Sequence, residues 1–137
     1  MLGIIGFNLS RIEAERSPSI KGKISIKNNV QVKDIEKADL FLGNSKQDGL
    51  KFKFEYVSSY EPGAGKILLT GDLLAVEEAE KAKEIVEVWK KSKKIGAEVM
   101  AQVLNSVLNK CSILAILMSR EITLPSPVQL PKVQVKK

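Results

Sequence analysis

The sequence predicts an α+β fold: a four-stranded antiparallel sheet followed by two helices packed on one face. Three observations lead there. Apolar residues alternate with polar ones through the first half, the period changes to about 3.6 after Val76, and the turn signals between strands are short, which favours antiparallel neighbours. The 137 residues, 44% hydrophobic and 28% charged, suit one domain spanning 1–137. With four Phe, two Tyr and one Trp, the core rests on Ile, Val and Leu.

In the first strand Ile5, Phe7 and Leu9 alternate with small or polar neighbours, and the phase then shifts to Ile12 and Ala14. A β-bulge near Ser10 would produce that shift. After "SPSIKG", Ile24, Ile26, Val30 and Val32 share a face opposite Lys23, Ser25, Lys27 and Gln31, giving a long strand or hairpin with one dry side. "KADLFLGNSKQDG" breaks the pattern and reads as a loop or crossover. "LKFKFEYV" alternates cleanly, with Leu50, Phe52, Phe54 and Tyr56 against Lys51, Lys53 and Glu55. "KILLTGDLLAV" follows as a fourth strand, Ile67, Leu69 and Leu73 in one phase. From Val76, the spacing of Ala79, Ala82, Val86 and Trp89 is helical, widened by Ile85 and Val88. Pairs four apart, Glu77–Lys81 and Glu87–Lys91, would each add about 0.2–0.5 kcal/mol to a helix. The chain bends near "KSKKIG", and a second helix runs from about Ala97 to Glu121, ending before Pro125.

Several chemistries are excluded. The chain has no histidine, which rules out a Ser-His-Asp triad and a His-ligated zinc site. "YEPGAGKILLTG" resembles a phosphate loop only in part: Tyr60 stands where the first glycine belongs, Ile67 follows the lysine, and a strand comes next. Pro62-Gly63 makes it a hairpin corner. Cys111 lacks a histidine to activate it and sits in "VLNKCSILAILM", where a small buried hydrophobe is expected. Glu13 with Glu15, and Asp34 with Glu36 and Asp39, read as solvated surface rather than catalytic pairs. The net charge is +6, densest in "KKSKK" at Lys90–Lys94, where lysines oppose a helix dipole. That balance permits a nucleic-acid partner, although no stacking aromatics adjoin the cluster. The N-terminus lacks the basic leader and apolar stretch of a signal peptide, so a cytoplasmic location is expected.

The second helix is apolar on more than one side. Val99, Val103, Val107, Cys111, Leu114 and Met118 form one stripe, and Met100, Leu104, Leu108, Ile113 and Leu117 form more. Gln102, Asn105, Asn109 and Lys110 argue against membrane insertion. One sheet face covers one side of a helix, so a further layer is needed: the first helix, the C-terminal tail or another subunit. A subunit contact is expected, at Val103, Val107, Leu114 and Met118. The tail, residues 122–137, carries Pro125, Pro127 and Pro131 in seven residues and favours an extended, polyproline-like course. It is either a strap over the protein's own core or one wall of an apolar groove.

The order of elements, with "CSILAILMSREITLPSPVQLPKV", resembles SecB-type export chaperones and their SecB-like relatives. Cys111, the Arg120-Glu121 pair, Pro125 and Pro131 carry the resemblance, loosely, as a divergent relative whose basic charge departs from the carboxylate-rich family pattern. It implies a SecB-like fold, assembly as a dimer of dimers and binding of unfolded polypeptide in apolar grooves. The expected function is therefore a non-catalytic, ATP-independent protein-binding module without cofactors or metal. It would be a homo-oligomer, dimer or tetramer, with Phe52, Phe54, Trp89, Leu124 and Leu130 lining a groove for extended apolar segments. The alternative is a basic nucleic-acid-binding protein.

Overall fold

The computed structural model describes residues 2–19, 22–38 and 47–128. Four long strands, β1 (Gly3–Arg16), β2 (Ser25–Ala38), β3 (Gln47–Glu61) and β4 (Gly65–Glu78), precede α1 (Ala79–Ser92) and α2 (Ala97–Glu121). The strands form one antiparallel sheet in the order β1-β4-β3-β2. Both helices lie on one face, so the fold is α+β, as the change of period indicates.

Alternation on the central strands is complete. Leu50, Phe52, Phe54, Tyr56, Ser58 and Tyr60 of β3 are buried, as are Ile67, Leu69, Gly71, Leu73, Ala75 and Glu77 of β4. Cross-strand partners such as Phe52 with Leu73 and Tyr56 with Leu69 keep one register and one face. Sealing each large apolar side chain here contributes roughly 1.5–3 kcal/mol. The opposite face carries Lys51, Lys53, Glu55 and Asp72 to water.

The phase shift in the first strand is a bulge. The register of β1 against β4 slips between Leu9 and Arg11, at Ser10, and a second slip falls between Ile4 and Gly6. β2 carries a third, at Lys33, between Val32 and Asp34. Strand structure also extends further than the pattern suggests. Lys37, Ala38 and Gln47–Gly49 are strand although they fall in the stretch expected to be a loop, whose remaining residues lie outside the described ones. β4 continues to Glu78, so Glu77 belongs to the sheet and stands outside the helix that carries Lys81.

The glycine-flanked lysine resolves as a hairpin corner. Glu61–Pro62 is cis, Gly63 has φ +60°, and the Ala64 N–H donates to the Tyr60 carbonyl at 2.8 Å. Lys66 belongs to β4 and no helix opens there.

α1 buries Ala82 and Trp89, and it stops where Lys93 turns left-handed, φ 57°, its N–H on the Trp89 carbonyl. α2 lays Val103, Val107, Cys111, Ala115 and Ser119 on the sheet at a strict spacing of four. By length and composition α2 could cross a membrane, with mean hydropathy 1.4 over 18 residues, and 22% of that window is buried. The sheet buries one stripe, Val99, Met100, Leu108, Leu114 and Met118 flank it half-buried, and Ile113 and Leu117 face outward.

Gly71 is the tightest point of the sheet. A Cβ there would run into the Asn8 carbonyl and lie 2.9 Å from Leu9 Cα, both backbone of the bulged strand. The gap it leaves also lets Phe7 of β1 and Phe54 of β3 stack across β4, ring centroids 5.1 Å apart. Gly71→Ala is expected to lower stability by about 1–3 kcal/mol, read as a fall in the urea midpoint with an unchanged slope.

Candidate functional site

The residues expected to line an open groove are mostly sealed. Phe52 and Phe54 lie beneath the helices, 0% and 2% exposed, because they alternate onto the covered face of a central strand. Trp89 is buried in α1, its Nε1 donating to Asp34 Oδ1 at 3.1 Å and Lys93 Nζ 5.4 Å above its ring. Asp34 is thus a structural acceptor rather than a solvated carboxylate. Leu124 is buried in the segment after α2, and Leu130 lies outside the described residues. Of the expected subunit contacts, Val103 and Val107 belong to the protein's own core, since they face the sheet. Leu114 and Met118 are half-buried at its edge.

The apolar surface left outside is elsewhere. The helices pack over β2, β3 and β4, so the inner margin of β1 extends past them. Ile12, opposite buried Leu69, is 50% exposed for that reason, and bulged Ile5 is 55% exposed. On α2, Ile113 and Leu117 stand 64% and 52% exposed. Two clefts open beside α1. One, of about 420 Å³, lies between Leu2, Ile85, Val88, Ile95 and Val99, with Glu77, Glu84 and Glu98 around it. The other, of about 530 Å³, has Leu50, Ala82 and Val86 as its floor.

The segment after α2 is built with care. α2 closes in a Schellman motif: the Thr123 N–H reaches the Arg120 carbonyl and the Leu124 N–H reaches the Ser119 carbonyl at 2.8 Å. Thr123 holds the left-handed position, φ 58°, and turns the chain back across the covered face. Leu124 then packs where a Cβ on Gly65 of β4 would stand, 2.9 Å from its Cδ1. The Tyr60 hydroxyl of β3 donates to the Pro125 carbonyl at 2.6 Å, and Asn28 Nδ2 of β2 donates to the Pro127 carbonyl at 2.8 Å. Ser58 Oγ sits 2.7 Å from Asn28 Oδ1 and 2.9 Å from the Tyr56 hydroxyl. Its single proton goes to the amide oxygen, so the Tyr56 phenol donates to it. That chain fixes which way the Asn28 amide points. The proline spacing suggests such a strap, but no sequence pattern marks Tyr60 and Asn28 as its fastenings.

Chemistry is suppressed at this end of the core. Burial pushes the Cys111 thiol up to about 12, far from a reactive thiolate. Burial, with Tyr56 beside it, pushes the Tyr60 phenol up to about 12 as well, and burial raises Tyr56. No group of three or more acids and cysteines gathers to hold a metal among the described residues. The folded state keeps the Cys111 and Tyr60 protons toward pH 12, whereas the unfolded chain releases them near the ordinary 9.0 and 10.0. Stability is therefore full below about pH 9 and falls as pH rises toward about 12. Cys111→Ala should lose less of its urea midpoint between about pH 8 and about pH 11 than the parent protein does.

No family model and no curated protein matches the chain. Among solved structures it is similar to the SecB-like chaperone of Mycobacterium tuberculosis in complex with a ChAD peptide from an antitoxin, with 9% sequence identity and a TM-score of 0.47. The match covers 99% of this chain and 93% of the other.

Proposed function

We propose that the protein is a non-catalytic, ATP-independent polypeptide-binding module that holds extended apolar segments and works as a homo-oligomer. One observation carries this reading: two helices cover three of the four strands, leaving Ile5 and Ile12 on β1 and Ile113 and Leu117 on α2 facing water. Among the described residues nothing further lies over them. Leu114 and Met118 continue the α2 surface inward, so a neighbouring copy seated there would meet a continuous apolar strip. The clefts beside α1 have apolar floors and charged rims, which suits weak, reversible contact with unfolded chains. Each apolar side chain buried by a client would add roughly 1.5–3 kcal/mol, so a few contacts suffice.

The protein in several-fold excess is expected to suppress aggregation of a chemically unfolded test protein without ATP, followed by light scattering. No suppression at any ratio would refute the reading. Paired substitution Ile113→Asp and Leu117→Asp should weaken self-association at least about tenfold in sedimentation equilibrium, while the far-ultraviolet circular dichroism stays unchanged.

A further inference from the structure

The strap runs from Leu124 and bends at Pro127 and Val128, and it is held by its main chain, as an unfolded client would be. Its fastenings are side-chain donors aimed at main-chain carbonyls two residues apart, Tyr60 on Pro125 and Asn28 on Pro127. Neither contact reads a strap side chain, so any extended segment of suitable shape can supply the same acceptors. The seat adds an apolar notch over Gly65, filled by Leu124, and a buried position for Pro127. Both donors are set in advance: Asn28 is oriented by Ser58 and Tyr56, and Tyr60 is locked in a central strand.

The strap is also seated against resistance. Thr123 is β-branched and occupies the left-handed region that favours glycine, so closing the strap strains the hinge that delivers it. Release would relax that residue.

Resting on the polypeptide-binding reading above, we propose that Tyr60, Asn28 and the notch over Gly65 form a client subsite that recognises main-chain carbonyls of an extended apolar segment, and that the protein's own strap occupies it until displaced. Apparent client affinity then scales with the fraction of molecules whose strap is open. The strap acts as an internal competitor.

The test uses the full chain and a fluorescent, unstructured, apolar peptide, with binding read by anisotropy. Leu124→Ser, which empties the notch, should bind several-fold more tightly than the parent. Thr123→Gly, which removes the hinge strain and favours the closed strap, should bind several-fold more weakly and melt at a higher temperature. Should Leu124→Ser fold poorly, Ser126→Ala serves in its place. It removes the hydroxyl that holds Val128 at 2.6 Å and should shift affinity in the same direction. Binding that is equal in all variants overturns the subsite and leaves the polypeptide-binding reading intact. Absence of binding in every variant overturns that reading and the subsite together.

Discussion

The covered face of β3 and β4 sets what the rest of the molecule can do. It is closed residue by residue, from Leu50 to Tyr60 on one strand and from Ile67 to Ala75 on the other, by a helical layer only two helices wide. Gly71 is the one position in that face without a side chain, and two features depend on the space it leaves. The bulged backbone of β1 comes in against it, and Phe7 reaches Phe54 over it. β1 is thereby joined to the core through Phe7, with Leu9 and Ala14 packed beside it, while Ile5 stays more than half exposed and Ile12 half exposed. The apolar surplus on β1 and on the outer side of α2 follows from that geometry. An edge strand with two bulges and a helix with one buried stripe cannot hide more.

Polar atoms at one end of an otherwise apolar core have a matching cause. A chain crossing a dry surface must satisfy its carbonyls and its N–H groups. Pro125 and Pro127 remove two of the N–H groups, so the strap asks mainly for donors. Tyr60 and Asn28 supply them, and Ser58 and Tyr56 complete the set. No buried side-chain nitrogen or oxygen is left without a partner among the described residues. Sequence and seat are complementary in hydrogen-bond type as well as in shape.

The elements were legible because one rule governs each. Alternation reports a sheet with one dry face, so β2, β3 and β4 and the orientation of Phe52, Phe54, Ile67 and Leu69 could be read directly. The bulge at Ser10 appeared as a lost beat between Leu9 and Ile12. The bulge at Lys33 leaves a fainter trace of the same kind, because Ile35 alone carries the shifted phase after Val30 and Val32 and its neighbours are charged. Site residues were less legible for a physical reason. Large apolar residues mark a core and a groove equally well, and only the width of the helical layer separates the two. Phe52, Phe54, Val103 and Val107 fell under that layer, whereas Ile12, Ile113 and Leu117 fell beyond it. Asn28 and Tyr60 gave no signal at all, since what they bind is backbone.

The positive charge of the chain does not by itself make a nucleic-acid surface. On the open face of the sheet several lysines are answered locally, Lys33 by Glu55, Lys51 and Lys53 by Glu36, and Lys37 by Asp48 at the sheet end. A phosphate track needs a row of cations left free for the ligand, and single-strand binding adds aromatic faces on which bases stack. Phe52, Phe54, Tyr56, Tyr60 and Trp89 are all buried, and Phe7 is stacked on Phe54. Lys93 spends its charge over the Trp89 ring at the end of α1. Hydrocarbon also faces solvent, at Ile5 and Ile12 and at Ile113 and Leu117. Burying that apolar area against a partner would release free energy that falls little with added salt, whereas attraction to a polyanion weakens steeply as salt rises.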